Sequence, residues 1–395
     1  MVSTAADLDA LCARLATEPE IALDTEFHGE KSYWPKLMLL QLATRSEIVL
    51  VDPLAQEIGV AALGRLFEAI RAGGALVVGH AISNDLDILL RASQRLPVRV
   101  FDTQIAAAFV GLGHQVGLGR LLAARLSVDV EKRYSMADWS KRPLPPGQLE
   151  YAAADVEHML SLADDLRADL ERRGRSAWVV EECARLVDPG SYGDRDPEAA
   201  WRSVKKAPRA GTREARVLRA LAAEREHIAK EMDRPRQYVL PDELLVDLAR
   251  RAPRHPRDLH SDTHRRGSPG LQQHAARWLE AVRRSTSATL DAMEPYAPSL
   301  SGAQESLLTV AKMLVAQHAI ADDIAPPLVS AFVDELPALL LAPPKDRAEL
   351  ETRLGVSGWR AELVGELMWA LLSGRLRAQV SVGAEGLELS WSREG

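Results

Sequence analysis

The sequence has few cysteines, few aromatic residues and no long apolar run. Only Cys12 and Cys183 occur among 395 residues, which excludes a disulfide framework or a cysteine zinc site and favours a reducing compartment. Aromatic residues make up 5%, which argues against an extended base-stacking platform. The N-terminus lacks a signal-peptide pattern, and the longest uncharged stretch, 103–119, is shorter than the ~20 apolar residues that span a bilayer. We therefore expect a soluble, cytoplasmic protein with no membrane partner.

Charge is unevenly distributed along the chain. The net charge is -7, but residues 201–290 hold 20 lysines and arginines against 11 acids. Residues 1–200 hold 21 against 30, and residues 291–395 hold 8 against 15. A basic middle between acidic flanks indicates a polyanion-binding module. Arginines on ordinary solvated helix faces would give the same counts, so composition leaves both interpretations open.

The hydrophobic pattern predicts an α/β domain followed by helical segments. Runs rich in Val, Ile and Leu predict strands at 21–27, 37–44, 47–52 and 75–80. Helical periodicity predicts helices at 60–72, 84–93, 103–110, 118–126 and 146–173. Close-set strands before most helices favour a mixed sheet flanked by helices, whose first three strands form a meander. Residues 188–211 lose this periodicity and gain Pro, Gly and charge, as a linker does.

Asp24 and Glu26 lie two residues apart in the first predicted strand. Side chains alternate faces along a strand, so both carboxylates point the same way. Burying two ionised carboxylates costs several kcal/mol each unless cations or hydrogen bonds compensate. Either arginine partners neutralise the pair, or the two acids carry chemistry.

Two more places supply acids. Asp85 lies in the first turn of the helix after the fourth strand. An acid there can instead cap the helix, and Asp87 is an alternative candidate for the functional role. Tyr151 and Asp155 lie one turn apart on one helix face, either as a packed tyrosine beside a solvated acid or as part of a site. Four acids that meet in a cleft would repel one another strongly. Two divalent cations would balance them, and oxygen ligands select Mg²⁺ or Mn²⁺.

The motifs resemble a known family. The segments DTEF (24–27), VGHAISNDLDIL (78–89) and YAAADVEHML (151–160) are similar to the three exonuclease motifs of the tyrosine-containing branch of the DEDD superfamily. With VDPL, FDTQIAAAF and DWSKRPLPPGQLEYAAADV between them, residues 20–175 resemble ribonuclease D. The resemblance implies a ribonuclease H-like exonuclease domain at 1–187. It also implies Asp24, Glu26, Asp85 and Asp155 as ligands of two Mg²⁺ or Mn²⁺ ions, and Tyr151 as the residue that orients the attacking water.

The segment after the linker carries a second resemblance. Residues 212–290 resemble an HRDC domain, the small helical module that follows helicase and ribonuclease D catalytic cores, and its basic charge suits phosphate contacts. Residues 291–395 are interpreted as a second helical HRDC-like domain, after a linker at 188–211.

The resemblance implies a function. We expect a monomeric 3′-to-5′ exoribonuclease that trims RNA 3′ ends, such as those of tRNA and other small structured RNA precursors, and releases nucleoside 5′-monophosphates. Two alternatives stay open: a DNA 3′-to-5′ exonuclease, and a non-catalytic RNA-binding adaptor that uses only the basic module.

Overall fold

The computed structural model describes the chain except residues 131–133, 135–136, 194–195, 210, 260–268, 288–299, 355–357, 384–385 and 394–395. The chain divides into two compact units. The first contains Met1–Glu26, Leu37–Tyr192 and Pro298–Gly395. The second contains Phe27–Lys36 and Gly193–Ala297.

The first unit contains the predicted mixed sheet. Its strands are β1 (Glu20–His28), β2 (Lys36–Ala43), β3 (Ile48–Val51), β4 (Leu76–Gly79) and β5 (Arg99–Asp102), in the order β3-β2-β1-β4-β5. Strand β4 pairs in parallel with β1 and β5, whereas β2 and β3 are antiparallel. The first three strands are neighbours, as a meander requires. The α/β class is confirmed, and β5 is an addition that the apolar pattern did not predict.

Helices cover both faces of the sheet. They are α1 (Ala5–Leu15), α2 (Gly59–Gly73), α3 (Ser83–Ser93), α4 (Thr103–Ala108), α5 (Leu118–Leu126), α6 (Pro146–Glu157), α7 (Met159–Arg172) and α8 (Ser176–Ala184). Successive strand residues pack into different hydrophobic clusters, Ile21 and Val77 in one and Ala22 and Val78 in the other. This alternation is what a strand buried on both faces requires.

The helix predicted at 146–173 is two helices. His158, with φ -102 and ψ 2, lies outside the helical region between α6 and α7. The apolar residues on both sides, Val156 and Met159, are buried in the same cluster. The periodicity therefore continues across a break in the backbone, which is why the sequence did not reveal it.

The described part of the second unit is mainly helical, with Phe27–Lys36 added from the end of β1 to the start of β2. After a 3₁₀ segment, Pro197–Ser203, come α9 (Arg213–Glu231), α10 (Arg236–Val239), α11 (Asp242–Arg251), α12 (Pro269–Gln273) and α13 (Ala275–Ser287). Arg225 of α9 is 1% exposed and donates to Asp242 and to the Leu240 carbonyl. A buried charge of this kind requires such partners.

The C-terminal segment belongs to the first unit. It forms α14 (Gly302–Ala321), α15 (Pro327–Leu341), α16 (Arg347–Leu354), a π-helical turn (Ala361–Gly365) and α17 (Glu366–Leu372), then a hairpin of β6 (Leu376–Gly383) and β7 (Gly386–Arg393). Its buried residues share one hydrophobic cluster with α4, α5 and α7. The hairpin was not predicted, and the domain boundaries given above stay predictions. None of the described helices is long and apolar enough to cross a membrane.

Candidate active site

Strand β1 carries the first two acids on one face. Leu23 and Thr25 are buried, whereas Asp24 and Glu26 alternate with them and are half-buried. The arrangement follows from the strand period of two and agrees with the predicted common face.

The third acid is held at the turn between β4 and α3. Asp85 is 6% exposed and accepts a hydrogen bond from the Thr25 hydroxyl. The turn itself is fixed by Asp102, whose carboxylate accepts from the amides of Ala81 (3.1 Å) and Ile82 (3.0 Å). Ala81 has φ 54, a left-handed conformation that needs such support.

Asp87, the competing acid of α3, has a different environment. It pairs with Arg91 one turn along the helix, at 3.1 Å. His80 and Asn84 also differ from Asp85: the ring of His80 bonds the Thr103 hydroxyl and the Val116 carbonyl, and Asn84 is exposed. Asp85 is therefore the residue of this motif that joins the acids of β1.

Helix α6 supplies the fourth acid and the tyrosine. The hydroxyl of Tyr151 donates to the carboxylate of Asp155. The Tyr151 ring lies 6.1 Å from Trp139 and 6.0 Å from Tyr134 between ring centroids. Aromatic contacts on one side and a hydrogen bond at the tip fix the direction of the phenol.

The four acids lie close enough for their charges to interact at Asp24. Burial raises the pKa of Asp24 well above its ordinary value, and the charges of Asp85, Asp155 and Glu26 raise it further. Burial, followed by the charges of Asp155 and Asp85, raises the pKa of Glu26 to about 8. Strand, turn and helix thus bring all the predicted acids into one low-dielectric site.

The pKa values of Asp85, Asp155 and Tyr151 are raised as well. Burial raises the pKa of Asp85 to about 6 against the hydrogen bond from Thr25, and that of Asp155 to about 6 against the bond from Tyr151. Burial and the neighbouring carboxylates raise the pKa of Tyr151, so the phenol stays protonated at neutral pH. The site stabilises neutral forms because burial opposes ionisation of each acid, and no lysine or arginine of the described chain pairs with any of them.

The donor set fits hard divalent cations. All four acids offer oxygen, the ligand that Mg²⁺ and Mn²⁺ prefer, and among the described residues no lysine or arginine forms an ion pair with any of them. The arginine-neutralised alternative is therefore wrong for the described chain. Across those same residues, no group of three or more His, Cys, Asp and Glu is already arranged to hold a metal ion. Repulsion between the carboxylates keeps them apart when no metal is bound. Bound cations would draw them together.

Sequence reasoning missed two supporting residues, Thr25 and Asp102. Thr25 lies between the two acids of β1 in the sequence, and its hydroxyl donates to Asp85. Asp102 caps α4 and also fixes the turn before α3. The FDTQ motif contains Asp102, but sequence spacing does not show that its carboxylate binds the amides of Ala81 and Ile82.

Comparison with known proteins identifies the family. A 3′-5′ exonuclease family model matches residues 1–171, and an HRDC domain model matches residues 214–282. The chain is 37% identical over 382 residues to a ribonuclease D of Gluconacetobacter diazotrophicus, covering 95% of this chain and 93% of that protein. The chain belongs to the ribonuclease D family. It is therefore a 3′-5′ exoribonuclease, and its exonuclease family depends on divalent metal.

Further relatives agree with this assignment. A ribonuclease D of Acidiphilium cryptum is also 37% identical, over 385 residues, with 95% of this chain and 93% of that protein covered. The crystal structure of Escherichia coli RNase D, described as an exoribonuclease involved in structured RNA processing, superposes with a TM-score of 0.80 and 29% identity. That match covers 95% of this chain and 98% of the other. Both the exonuclease fold and the helical modules are thus those of ribonuclease D.

Proposed function

We propose that Asp24, Glu26, Asp85 and Asp155 hold two divalent ions, Mg²⁺ or Mn²⁺. One observation carries the proposal: the charges of Glu26, Asp85 and Asp155 all act on Asp24, and none of the four carboxylates forms an ion pair in the described chain. Asp24, Glu26 and Asp155 would hold one ion, and Asp24 would be shared with the second, which Asp85 would help to hold partly through water. When bound, two such ions lower the pKa of the attacking water and stabilise charge on the departing 3′ oxygen.

Tyr151 is proposed to orient the attacking water. Its raised pKa keeps the phenol neutral, and its proton is committed to Asp155. The hydroxyl oxygen can then accept a hydrogen bond from water but cannot itself remove a proton at neutral pH. Tyr151 therefore sets the direction of attack on the last phosphodiester, which releases nucleoside 5′-monophosphates.

The residue roles are tested by Asp24→Asn and Asp155→Asn. Each variant keeps its shape but loses a ligand charge, so we expect hydrolysis of RNA with Mg²⁺ present to be abolished while the fold remains. Asp87→Asn is the matched control, because Asp87 is the neighbouring acid that pairs with Arg91, and it should retain near wild-type rates. Wild-type digestion by either of the first two variants would overturn the assignment.

The proposed substrates are RNA 3′ ends, such as those of tRNA precursors and other small structured RNAs. Support comes from the structurally similar E. coli enzyme, whose description names structured RNA processing. A DNA exonuclease would use the same acids, so matched RNA and DNA 3′ ends of one sequence should be compared. A preference for DNA would favour that rival. RNA binding by the wild type without any hydrolysis would favour the adaptor.

The basic module is proposed to bind RNA as an HRDC domain at 212–290, after a linker at 188–211 and an exonuclease domain at 1–187. Its 16 basic residues against 11 acids predict RNA affinity that falls with salt. We further propose a cytoplasmic monomer, in line with two free cysteines, and gel filtration with light scattering tests the monomeric state.

A further inference from the structure

The loop that follows the catalytic strand is built into the helical unit. Residues Phe27–Lys36 cluster with Gly193–Ala297, whereas Glu26 before them and Leu37 after them belong to the exonuclease unit. Strand β1 ends at His28 and β2 begins at Lys36. The chain thus leaves the candidate active site, enters the helical unit for ten residues, and returns to the sheet.

Tyr33 is the main anchor of this loop. Its hydroxyl donates to Glu226 of α9 at 2.7 Å, and its ring packs against the hydrophobic core around α9. Glu226 is 0% exposed and also pairs with Arg236 at 3.2 Å. A hydrogen bond to a buried carboxylate is among the stronger ones, and removing the donor leaves a charged acceptor incompletely satisfied.

Asp233 provides a second anchor just beyond the end of α9. One of its carboxylate oxygens accepts from the Tyr33 amide at 3.1 Å, and the other pairs with the Lys36 ammonium at 2.9 Å. The same acid therefore holds the loop in its middle and at the point where β2 begins. Lys230 lies over the Tyr33 and Trp34 rings, 5.9 and 5.7 Å from their centroids.

We propose that the HRDC module positions the catalytic strand, with Tyr33 and Glu226 as positioning residues for exonuclease action. Glu26 directly precedes Phe27, the first residue grouped with the helical unit, so the conformation of Phe27–Lys36 limits where the end of β1 can lie. The module would then assist hydrolysis even for RNA too short to contact its basic surface. The inference rests on the proposed role of Glu26 as a metal ligand.

The test uses the full-length protein and a trinucleotide RNA with Mg²⁺. Tyr33→Phe removes only the hydroxyl, and Glu226→Gln removes the charge that the hydroxyl meets. We expect each variant to lower kcat about tenfold with KM changed less than twofold. The double variant should be no slower than Glu226→Gln alone, because Glu226→Gln already weakens the bond that Tyr33→Phe removes.

Two further variants make the result decisive. Tyr238→Phe removes a tyrosine hydroxyl from the same unit at a position that is 61% exposed, and its kcat should equal that of the wild type. Lys36→Gln removes the ion pair to Asp233 at an exposed residue and keeps the Tyr33 amide bond. It should also lower kcat, and it replaces Glu226→Gln as a test if that variant does not fold. Thermal unfolding of each variant verifies the fold.

Wild-type kcat in both Tyr33→Phe and Lys36→Gln would overturn the inference, as would a change in KM alone. The proposed function would fail differently, through retained hydrolysis in Asp24→Asn. An unchanged Tyr33→Phe beside an inactive Asp24→Asn would therefore refute the positioning role and leave the active site intact.

Discussion

Removing one carboxylate from the metal-free site should stabilise the protein. In Glu26→Gln a neutral amide of the same shape replaces an acid whose pKa burial and the charges of Asp155 and Asp85 raise from 4.5 to about 8. Because the folded state disfavours the ionised form, wild-type stability falls as pH rises from about 4.5 to 8. At about 1.4 kcal/mol per pH unit, the ionised Glu26 opposes folding by on the order of 4 kcal/mol at pH 8.

The variant should recover about half of this amount, since the amide must still be desolvated. In EDTA at pH 8 we therefore expect stability to rise by about 2 kcal/mol, or Tm by about 5 °C. At pH 5 the gain should nearly vanish, because Glu26 then binds its proton in the folded state and partly in the unfolded state. Mg²⁺ should raise the Tm of the wild type more than that of the variant.

Thermal unfolding of the full chain, followed by circular dichroism at both pH values, measures these shifts. Glu157→Gln is the matched control, because it removes an exposed carboxylate from α6 and should change Tm little. Equal destabilisation by Glu26→Gln at pH 5 and pH 8 would refute the reasoning. Glu26 would then stabilise the fold, and its ionised form would not oppose folding.

Three further outcomes follow from the geometry. Tyr151→Phe should lower kcat about 100-fold with little change in KM, because only the orienting hydroxyl is lost; an unchanged kcat in initial-rate assays would contradict this role. Thr25→Val removes the hydrogen bond to Asp85 and should raise the Mg²⁺ concentration for half-maximal activity about tenfold, whereas an unchanged metal titration would show that Thr25 is dispensable. Asp242→Asn leaves Arg225 buried without its charged partner and should destabilise the helical unit by about 3 kcal/mol, measured by denaturant unfolding. Burial opposes ionisation of Asp242, but the hydrogen bond from Arg225 outweighs it and lowers the pKa, so the wild-type contribution should be present above about pH 4 and lost below it.

Local pattern was sufficient for the parts of the fold that depend on local physics. The common face of Asp24 and Glu26 follows from the strand period, and the ends of α5 at Leu118 and Leu126 follow from a clear apolar stripe. The short strand β5 was missed because four residues, Arg99–Asp102, carry too little periodicity to stand out. Its strand character depends on pairing with β4, a contact distant in sequence.

Tertiary contacts decided the remainder. Sequence spacing could not tell which of Asp85 and Asp87 belongs to the site. Asp85 accepts from Thr25 of β1, whereas Asp87 pairs with Arg91 on its own helix. The insertion of Tyr33 into the helical unit was equally invisible, because its partner Glu226 is 193 residues away. Long-range hydrogen bonds of this kind have no local signature.

The most direct test of the central claim is the anomalous diffraction of crystals soaked with Mn²⁺ and a nucleoside 5′-monophosphate. We expect two manganese peaks among the carboxylates of Asp24, Glu26, Asp85 and Asp155, with Asp24 contacting both. Absence of manganese from these carboxylates while the nucleotide is bound, or a lysine or arginine found paired with them, would contradict it.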